Sequence, residues 1–466
     1  MHYDIFIIGA GQAALPLAQR LIEAGKTVAV AERRYLGGSC VNFGCTPTKA
    51  VIASARLAHR ARRGAEFGLR IPTVEVDFPA VMQQARDILH ESRQSLADIF
   101  PQNDNLTLLR GHARLTGREG NGFRAEVIRN DGVDLVSADT VVLDTGTRAR
   151  IPSVEGLDTV PFMTADNWIE NDTLPERLLI LGGGYIGVEM SQFYRRMGSE
   201  VVVIDENERF LSREDEDAAH ELYEVLKNEG IAFHFGAKAK NAAVTEAGGI
   251  TLTIETESGE RPLNGTHLLV VTGRIPNTED LGLDTVGVRC DDKGVIETDK
   301  HLQTSVEGIF AVGDIRGGPM FTHTSWDDYR IVYSRLMEDG SHTTDRIVPH
   351  AIFTDPQLAQ VGLTESEARK QDKKVQTGVY RMERNGQARE SRETHGFAKV
   401  VVDAETQQLL GATVLSDEAA EVLHIYVNTM NSAAPYTVIR DAVYTHPTLA
   451  EAIQSATQAV TGEDKE

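Results

Sequence analysis

Cysteine is scarce in this sequence, which holds three in 466 residues. So few cysteines exclude a disulfide-stabilised secreted scaffold and indicate a reducing compartment. Positive charge is also in deficit, because 47 lysines and arginines stand against 69 aspartates and glutamates, a formal net charge of −22. We therefore expect no nucleic-acid partner and no binding to an anionic membrane.

Long apolar runs are lacking as well. No window of the sequence approaches the roughly 20 apolar residues that a membrane-spanning helix needs. No N-terminal targeting signal is evident, since strand-like residues and a glycine turn follow Met1 almost at once. These absences predict a cytoplasmic protein without a membrane segment.

Glycine, in contrast, is plentiful. The chain has 41 glycines and 41% hydrophobic residues, which is typical of an α/β protein with many tight turns. Its length predicts roughly three domains of about 150 residues each.

A dinucleotide-binding pattern opens the chain. The apolar strand Tyr3–Ile8 leads into Gly9-x-Gly11-x-x-Ala14, and the second strand of the unit ends at Glu32. Gly9 permits the tight turn, and Gly11 lets the backbone approach a pyrophosphate at the start of the helix. Glu32 is placed to accept a hydrogen bond from a ribose hydroxyl. A purely structural glycine turn is the alternative.

The same pattern returns in the middle of the chain. The strand Leu178–Leu181 leads into Gly182-x-Gly184-x-x-Gly187, and the following strand ends at Asp205. Two such patterns, each with an acid at the corresponding place, predict two bound dinucleotides.

Between these patterns lies a pair of cysteines. Cys40 and Cys45 are separated by four residues, and a helix over Ala50–Arg63 is predicted directly behind Cys45. The positive end of that helix would stabilise a thiolate on Cys45, and a nearby sulfur allows a thiolate and a disulfide to interconvert. A structural disulfide or two buried thiols is the alternative. The helix also carries three basic residues that we interpret as a solvated face: Arg60, Arg62 and Arg63. The third cysteine, Cys290, is interpreted as a bystander.

The last part of the chain changes character. From about residue 341, strand-like runs such as Gly396–Val402 precede helices and the segment His446-Pro-Thr448-Leu-Ala-Glu451. One interpretation is a helix cap, with Thr448 as the N-cap. The other is a catalytic base, because histidine titrates near neutral pH and Glu451 can orient it.

Together these motifs, in this order, resemble the class I flavoprotein disulfide reductases, the family of lipoamide dehydrogenase, glutathione reductase and mercuric reductase. The resemblance extends over essentially the whole chain. It implies an α/β fold with two Rossmann-like dinucleotide-binding domains and a C-terminal α+β dimerisation domain. The expected flavin domain is built from residues 1–148 and 270–340, the nicotinamide domain from 149–269, and the dimerisation domain from 341–466.

The resemblance also implies the cofactors. FAD is expected at the first pattern and NAD(H) at the second, where Asp205 favours a free ribose hydroxyl over a 2′-phosphate. Arg209 leaves the use of NADPH possible. No resident metal is predicted. Further cofactor-binding positions follow from the family's other motifs: Gly146 in a T-G-T turn, Gly273 and Arg274 in the segment joining two domains, and Asp314 in the second flavin motif.

Around the dithiol, the resemblance assigns individual roles. Cys45 is expected to face the flavin and Cys40 to attack the substrate. Lys49 resembles the lysine that stabilises negative charge on the flavin, and Glu189 resembles its partner. Tyr185 stands where the family has an aromatic gate over the nicotinamide pocket, with simple packing as the alternative.

A homodimer follows from the same resemblance. His446 and Glu451 are expected to reach the dithiol from the other subunit, so that the active site is shared across the interface. The substrate is then a small disulfide, a dithiol or a metal ion.

Similarities to some members of the family, and differences from others, indicate the branch to which the chain is similar. The segment Ser325–Ile331 looks like mercuric-reductase-like and bacterial copper-reducing flavoproteins. A true mercuric reductase has a C-terminal cysteine pair and lacks the histidine, whereas this chain ends in TGEDKE and has His446. Three hypotheses result: a reductase of a disulfide or metal ion, a dihydrolipoyl dehydrogenase, and a non-catalytic flavoprotein.

Overall fold

A computed structural model describes residues 1–461. Within that range the α-helices are α1 (Ala14–Glu23), α2 (Gly38–Asn42), α3 (Cys45–Arg62), α4 (Phe78–Ala97), α5 (Tyr185–Met197), α6 (Glu216–Asn228), α7 (Thr322–Met337), α8 (Glu365–Lys370), α9 (Gly386–Glu390), α10 (Ala419–Val422), α11 (His424–Asn431), α12 (Thr437–Arg440) and α13 (Ala450–Gln458).

The strands of the same range are β1 (His2–Ile8), β2 (Val28–Glu32), β3 (Leu106–Arg110), β4 (His112–Glu119), β5 (Gly122–Arg129), β6 (Gly132–Leu143), β7 (Thr147–Ala149), β8 (Met163–Thr164), β9 (Arg177–Leu181), β10 (Glu200–Ile204), β11 (Ala232–His234), β12 (Lys238–Val244), β13 (Ile250–Thr256), β14 (Gly259–Gly265), β15 (His267–Val270), β16 (Arg274–Pro276), β17 (Ile309–Ala311), β18 (His350–Ile352), β19 (Gln357–Gly362), β20 (Val375–Arg381), β21 (Phe397–Asp403) and β22 (Leu409–Ser416).

The first sheet has the order β3-β2-β1-β6-β5-β4, and β17 pairs with β6. β1 is parallel to β2 and β6, whereas β4, β5 and β6 are antiparallel. The last four residues of β1, from Ile5 to Ile8, are buried because both faces of a parallel sheet are covered. β17 pairs with β6 although it comes much later in the sequence. A late segment of the chain therefore completes the first dinucleotide-binding unit.

A second parallel sheet has the order β11-β10-β9-β15-β8. The antiparallel sheet β12-β13-β14 packs beside it, and apolar residues of both sheets form one buried cluster. β9, α5 and β10 repeat the arrangement of β1, α1 and β2, as the paired glycine patterns predict.

The last of the three large sheets is antiparallel, with the order β18-β19-β22-β21-β20, whereas β12-β13-β14 and the pair β16-β7 are smaller sheets. Helix α13 packs on this sheet through Ile453 and its small neighbours, which are fully buried in the same cluster. This part matches the predicted α+β unit.

Several local predictions need correction. The helix predicted over Ala50–Arg63 begins earlier, at Cys45 itself, and Cys40 lies in the short helix α2. Thr448 is not an N-cap: α13 begins at Ala450, and the Thr448 hydroxyl donates to the carbonyl of Thr445.

The basic residues at the end of α3 are exposed or half-buried, as a solvated face requires, but each also has a partner elsewhere in the chain. Arg60 donates to Asp417 at 3.0 Å, and Arg63 donates to Glu393 at 2.9 Å. Arg62 donates to a backbone carbonyl of α5. These contacts reach the C-terminal sheet and the second dinucleotide unit, which the sequence pattern could not reveal because their acceptors lie far along the chain.

In the part of the chain that the structure describes, no helix is long and apolar enough to cross a membrane.

Candidate active site

A cavity of about 2320 Å³ lies where the three sheets meet. Both glycine patterns, both cysteines of the dithiol and the T-G-T turn line it. Sites for single small molecules measure about 300–1,000 Å³, so this cavity has room for two dinucleotides. Its shape links the first turn, the dithiol and the second turn without a protein wall between them.

The first glycine turn is held from three sides. Gly9 has a φ of +97°, and a Cβ there would lie 2.2 Å from the carbonyl oxygen of Asp144, so only glycine fits. The Glu32 carboxylate accepts the N–H of Ala10 at 3.0 Å. Ala14, the first residue of α1, is fully buried. The turn therefore presents the start of α1 to the cavity, as a pyrophosphate requires.

The second turn has the same construction. Gly182 has a φ of +115°, and a Cβ at Gly187 would lie 2.0 Å from the Gly182 carbonyl oxygen. Asp205 accepts the N–H of Gly183 at 2.7 Å. A Cβ built on Gly184 meets no atom within 4 Å, so this glycine borders open space where a phosphate fits. The residues present thus suit a second dinucleotide.

The dithiol lies beside the first turn. Cys45 is the first residue of α3, after Gly44, and is exposed to the cavity, whereas Cys40 is half-buried. Both are free thiols in this structure. Helix N-termini favour a thiolate because unpaired N–H groups and the dipole point at it. Cys290 is also free, but it does not line the cavity.

The two sulfurs differ in acidity. A hydrogen bond from Cys40 lowers the pKa of Cys45 to about 6, with further support from the Thr322 hydroxyl and the charge of Lys49. The pKa of Cys40 is raised by the hydrogen bond of this thiol to Cys45 and by its burial. At neutral pH the pair therefore holds a thiolate at Cys45 and a thiol at Cys40. Such an arrangement makes Cys45 the electron-rich sulfur.

Lys49 lies one turn along α3 from Cys45. Its ammonium is 2.8 Å from the Glu189 carboxylate and 4.5 Å from the centre of the Phe353 ring. Glu189 is buried and also accepts the backbone N–H of Phe353. The structure thus brings Lys49 and Glu189 together across 140 residues, with the lysine at the cavity wall.

The predicted cofactor positions near the domain junction also line the cavity. Asp314 accepts the Thr147 hydroxyl at 3.1 Å, and burial raises the pKa of this carboxyl. Arg274 donates to the side chain and carbonyl of Thr147. Gly146 and Gly273 both have a positive φ, and a Cβ on Gly146 would meet nothing within 4 Å. This end of the cavity is therefore open along the T-G-T turn.

Tyr185 opens α5 at the second turn. Its ring lines the cavity and stacks on Phe321 at 6.3 Å and on His350 at 5.8 Å between ring centres. Its hydroxyl donates to Glu214. The ring therefore borders the second turn on the cavity that also contains the dithiol.

His446 and Glu451 lie elsewhere in the same chain. His446 Nδ1 is 3.0 Å from Glu451 Oε1, and Glu451 also accepts the N–H of Thr448 at 2.8 Å. That backbone bond, with help from His446, lowers the pKa of Glu451. The pair is preformed, but it does not line the cavity of its own chain, and the His446 side chain is 75% exposed.

Some residues of the site escaped the sequence analysis. The Thr322 hydroxyl lies 3.1 Å from Cys45 Sγ, and it opens α7, the helix that carries the Ser325–Ile331 segment. Asp144 is fully buried beneath the first turn and accepts the N–H of Ala14, and burial raises its pKa well above the ordinary range. Asp328, within that segment, holds the N–H of Gly313 at 2.8 Å. The sequence of this segment indicates a branch of the family, but spacing along the chain does not show which distant residues its side chains contact.

Two dinucleotide turns and a dithiol on one cavity define a flavin- and nicotinamide-linked oxidoreductase. Family models agree: residues 3–328 match the pyridine nucleotide-disulphide oxidoreductases, and residues 348–457 match their dimerisation domain. The chain belongs to this family of flavoprotein oxidoreductases, whose cofactors are FAD and NAD(P)H.

Curated relatives span the chain from end to end. A dihydrolipoyl dehydrogenase of Cupriavidus necator is 31% identical and covers 98% of each chain. The probable pyridine nucleotide-disulfide oxidoreductase RclA of Escherichia coli is 31% identical over 97% of this chain and 98% of its own. A mercuric reductase of Streptomyces lividans is 32% identical over 99% and 97%.

The E. coli relative is also known as a solved structure. The Cu(II) complex of this HOCl-induced flavoprotein disulfide reductase has a TM-score of 0.89 and 30% identity, and covers 98% of this chain and 99% of that one. The relatives therefore agree on the family and differ in the substrate.

Proposed function

We propose that this enzyme takes electrons from NADH, passes them through FAD to the Cys40–Cys45 pair, and delivers them to a small disulfide or a metal ion. The observation that carries the proposal is the single cavity joining both dinucleotide turns to a thiolate at Cys45. FAD, when bound, supplies two-electron transfer between the nicotinamide and the dithiol.

The residues of the chain have separate tasks in this proposal. Cys45, as the thiolate, stands at the flavin, while Cys40 is the sulfur that attacks the substrate. Lys49 offsets negative charge that develops at the flavin, and Glu189 fixes its position. Tyr185 covers the nicotinamide pocket until the nucleotide enters.

Domain division and assembly are part of the same proposal. Residues 1–148 with 270–340 bind the flavin, 149–269 bind the nicotinamide, and 341–466 form the dimer; residues 462–466 lie outside the described residues. His446 and Glu451 point away from the cavity of their own chain, which supports a shared site in which they serve the dithiol of the partner subunit.

Metal-ion reduction is supported by particular relatives. RclA of E. coli, which has been solved as a Cu(II) complex, and a mercuric reductase both match nearly the full chain. The Cys45 thiolate is the kind of soft ligand that binds such ions. In the part of the chain that the structure describes, no cluster of three or more ligating side chains forms a separate metal site. A substrate ion would thus meet the dithiol directly.

A dihydrolipoyl dehydrogenase is the second candidate, because relatives of that name match equally and the His446–Glu451 pair suits thiol chemistry. The test compares NADH-driven reduction of Cu(II), Hg(II) and small disulfides with NAD-driven oxidation of dihydrolipoamide. Faster turnover of dihydrolipoamide would favour the second candidate. No turnover with any of them, despite bound FAD, would favour a non-catalytic flavoprotein.

A further inference from the structure

Four rings form a nearly parallel stack where the three sheets meet. Tyr185 stacks on Phe321 and His350, with angles of 10° and 11° between the ring planes. Phe321 stacks in turn on His350 and His323, at 6° and 9°. Tyr185 comes from the second dinucleotide unit, Phe321 precedes α7, and His350 opens the C-terminal sheet. The stack therefore depends on the mutual position of three parts of the chain.

Glu214 ties this stack together. Its side chain is 1% exposed, it accepts the hydroxyl of Tyr185, and His350 Nε2 lies 2.9 Å from its Oε2. A buried carboxylate is costly unless such partners satisfy it. Burial and the charge of Glu214 raise the pKa of Tyr185, so the phenol keeps the proton that it donates.

The backbone before Glu214 is shaped to place it. Leu211 has a φ of +43°, a left-handed conformation that costs a branched side chain energy. The N–H of Glu214 closes this turn by donating to the Leu211 carbonyl at 2.9 Å. The side chain that Leu211 bears is itself buried, so packing maintains the strained turn.

From this geometry we infer that Glu214 and His350 are positioning residues that latch Tyr185 closed over the nicotinamide pocket. The inference rests on the proposed function, in which Tyr185 is the gate, and it adds what holds the gate shut. Opening the pocket requires the Tyr185–Glu214 hydrogen bond to break and the ring to leave its stack. The latch thus reduces the fraction of molecules that can accept NADH, and it shields the flavin from other oxidants.

A conservative variant tests the latch. Tyr185→Phe keeps the ring and its stacking but removes the hydrogen bond to Glu214. The KM for NADH should fall about threefold to tenfold, because a larger fraction of molecules is open, while kcat changes little. The reduced flavin should also react faster with O2 when no other acceptor is present. The enzyme is assayed as the FAD-loaded dimer.

A double-mutant cycle separates the latch from general charge effects. Glu214→Gln should act in the same direction but more weakly, because a neutral amide oxygen accepts the Tyr185 hydroxyl less strongly than a carboxylate does. Added to Tyr185→Phe, it should have no further effect, since the contact is already absent. Glu224→Gln is the matched control, because Glu224 lies on α6 and contacts the Lys227 side chain outside the cavity.

Two results would overturn the inference: an unchanged or raised KM for NADH in Tyr185→Phe, or effects of the two substitutions that simply multiply. Failure of the proposed function looks different. In that case the wild-type flavin would not be reduced by NADH at all, although dithionite would still reduce it.

Discussion

Local hydrogen bonds determine much of the chemistry at the residue scale. Hydrogen bonds from Cys40 and Thr322 lower the pKa of Cys45, the first residue of α3. Glu32 ends β2 and Asp205 directly follows β10, and each accepts an N–H of the adjacent glycine turn. These side chains have a structural task as well as a place beside a ligand, so each substitution must be designed to separate the two.

The acidity of Cys45 leads to a spectroscopic prediction. In Cys40→Ser, the Cys45 thiolate should give a long-wavelength charge-transfer band with bound oxidised FAD, without any reduction. The serine hydroxyl can still donate a hydrogen bond to Cys45, and Thr322 and Lys49 also favour the thiolate. The pKa of Cys45 should therefore stay below its ordinary value, and the band should grow as the pH rises through that pKa. Absorbance titration measures it. Cys45→Ser should lack the band, and a band in that variant instead would exchange the roles of the two sulfurs.

Nucleotide preference is a second prediction at this scale. We expect a higher kcat/KM with NADH than with NADPH, because the Asp205 carboxylate repels a 2′-phosphate. Asp205→Arg should lower kcat/KM with NADH about tenfold to a hundredfold through the lost charged hydrogen bond. Steady-state kinetics with both nucleotides measures this. A wild-type preference for NADPH would contradict the assignment, and unchanged reduction by dithionite serves as the control.

Helix α3 is the element on which the dithiol depends. Its first residue is Cys45, while its last turns are tied to distant acids by Arg60 and Arg63. A neighbouring link connects α5 to the C-terminal sheet, where buried Arg196 donates to Glu229 and Asp355. The angle at which α3 presents its sulfur therefore depends on ion pairs between separate parts of the fold.

The Arg196 link gives a prediction about stability. Burial opposes the ionisation of Asp355, but Arg196 outweighs it, so the pKa of this carboxyl is lowered. Arg196→Met should lower the free energy of unfolding by about 3–5 kcal/mol at neutral pH, because buried Asp355 and half-buried Glu229 lose their closest cation. Urea unfolding followed by circular dichroism measures the loss.

The stability that the Arg196–Asp355 ion pair contributes should decrease in acid. A carboxyl with a lowered folded pKa contributes stability above its ordinary pKa and loses it as the pH falls. The wild type should therefore lose this contribution in acid, and the gap to Arg196→Met should narrow there. Arg289→Met, which breaks an exposed pair with Glu297, is the control and should cost less than about 1 kcal/mol. Equal losses in both variants would contradict the role of burial.

At the scale of the whole molecule, the proposed function divides the candidate site between domains and between the two copies of a dimer. The dithiol lies on the cavity, whereas the His446–Glu451 pair is preformed on the outside of the same chain. An isologous dimer of this family would place each pair against the dithiol of the partner subunit. The complete site would then exist only in the assembly.

Complementation tests this sharing. Cys45→Ser and His446→Gln homodimers should each be inactive towards disulfides. A mixed dimer has one complete site, which combines the cysteines of one chain with the histidine of the other. Random exchange should therefore restore about a quarter of the wild-type activity. Activity assays on co-expressed and separately purified chains measure this, and no recovery in dimers shown to be mixed would contradict a shared site.

His446 also distinguishes the substrate classes. A leaving thiol needs a proton, and general acid–base help is typically worth about 10²–10⁴-fold, so His446→Gln should lower disulfide turnover by such a factor. Reduction of a metal ion held by thiolates needs far less proton transfer and should be much less affected. Glu451→Ala should show the same split more weakly. Equal losses of kcat/KM for both substrates would contradict a role limited to thiols, with rapid-mixing flavin reduction as the control.

The sequence by itself determined the parts whose physical cause is local. A tight turn that only glycine can adopt, an acid at a strand end and two cysteines at the start of a helix are written in consecutive residues, so both βαβ units and the dithiol were predictable. Strand-like runs such as Gly396–Val402 likewise indicated strands in the last part of the chain, where β21 lies. Boundaries shifted by a residue or more, as at Cys45, because helix ends depend on surrounding contacts.

Only the tertiary structure decided which distant side chains meet. Thr322 reaches Cys45 across 277 residues, and His350 reaches Glu214 across 136. The arginines at the end of α3 pair with half-buried acids for the same reason. Spacing along the chain carries no information about such pairs, because their distance is set by how three sheets pack together. That packing also shapes the cavity, and with it the substrate that the dithiol can reach.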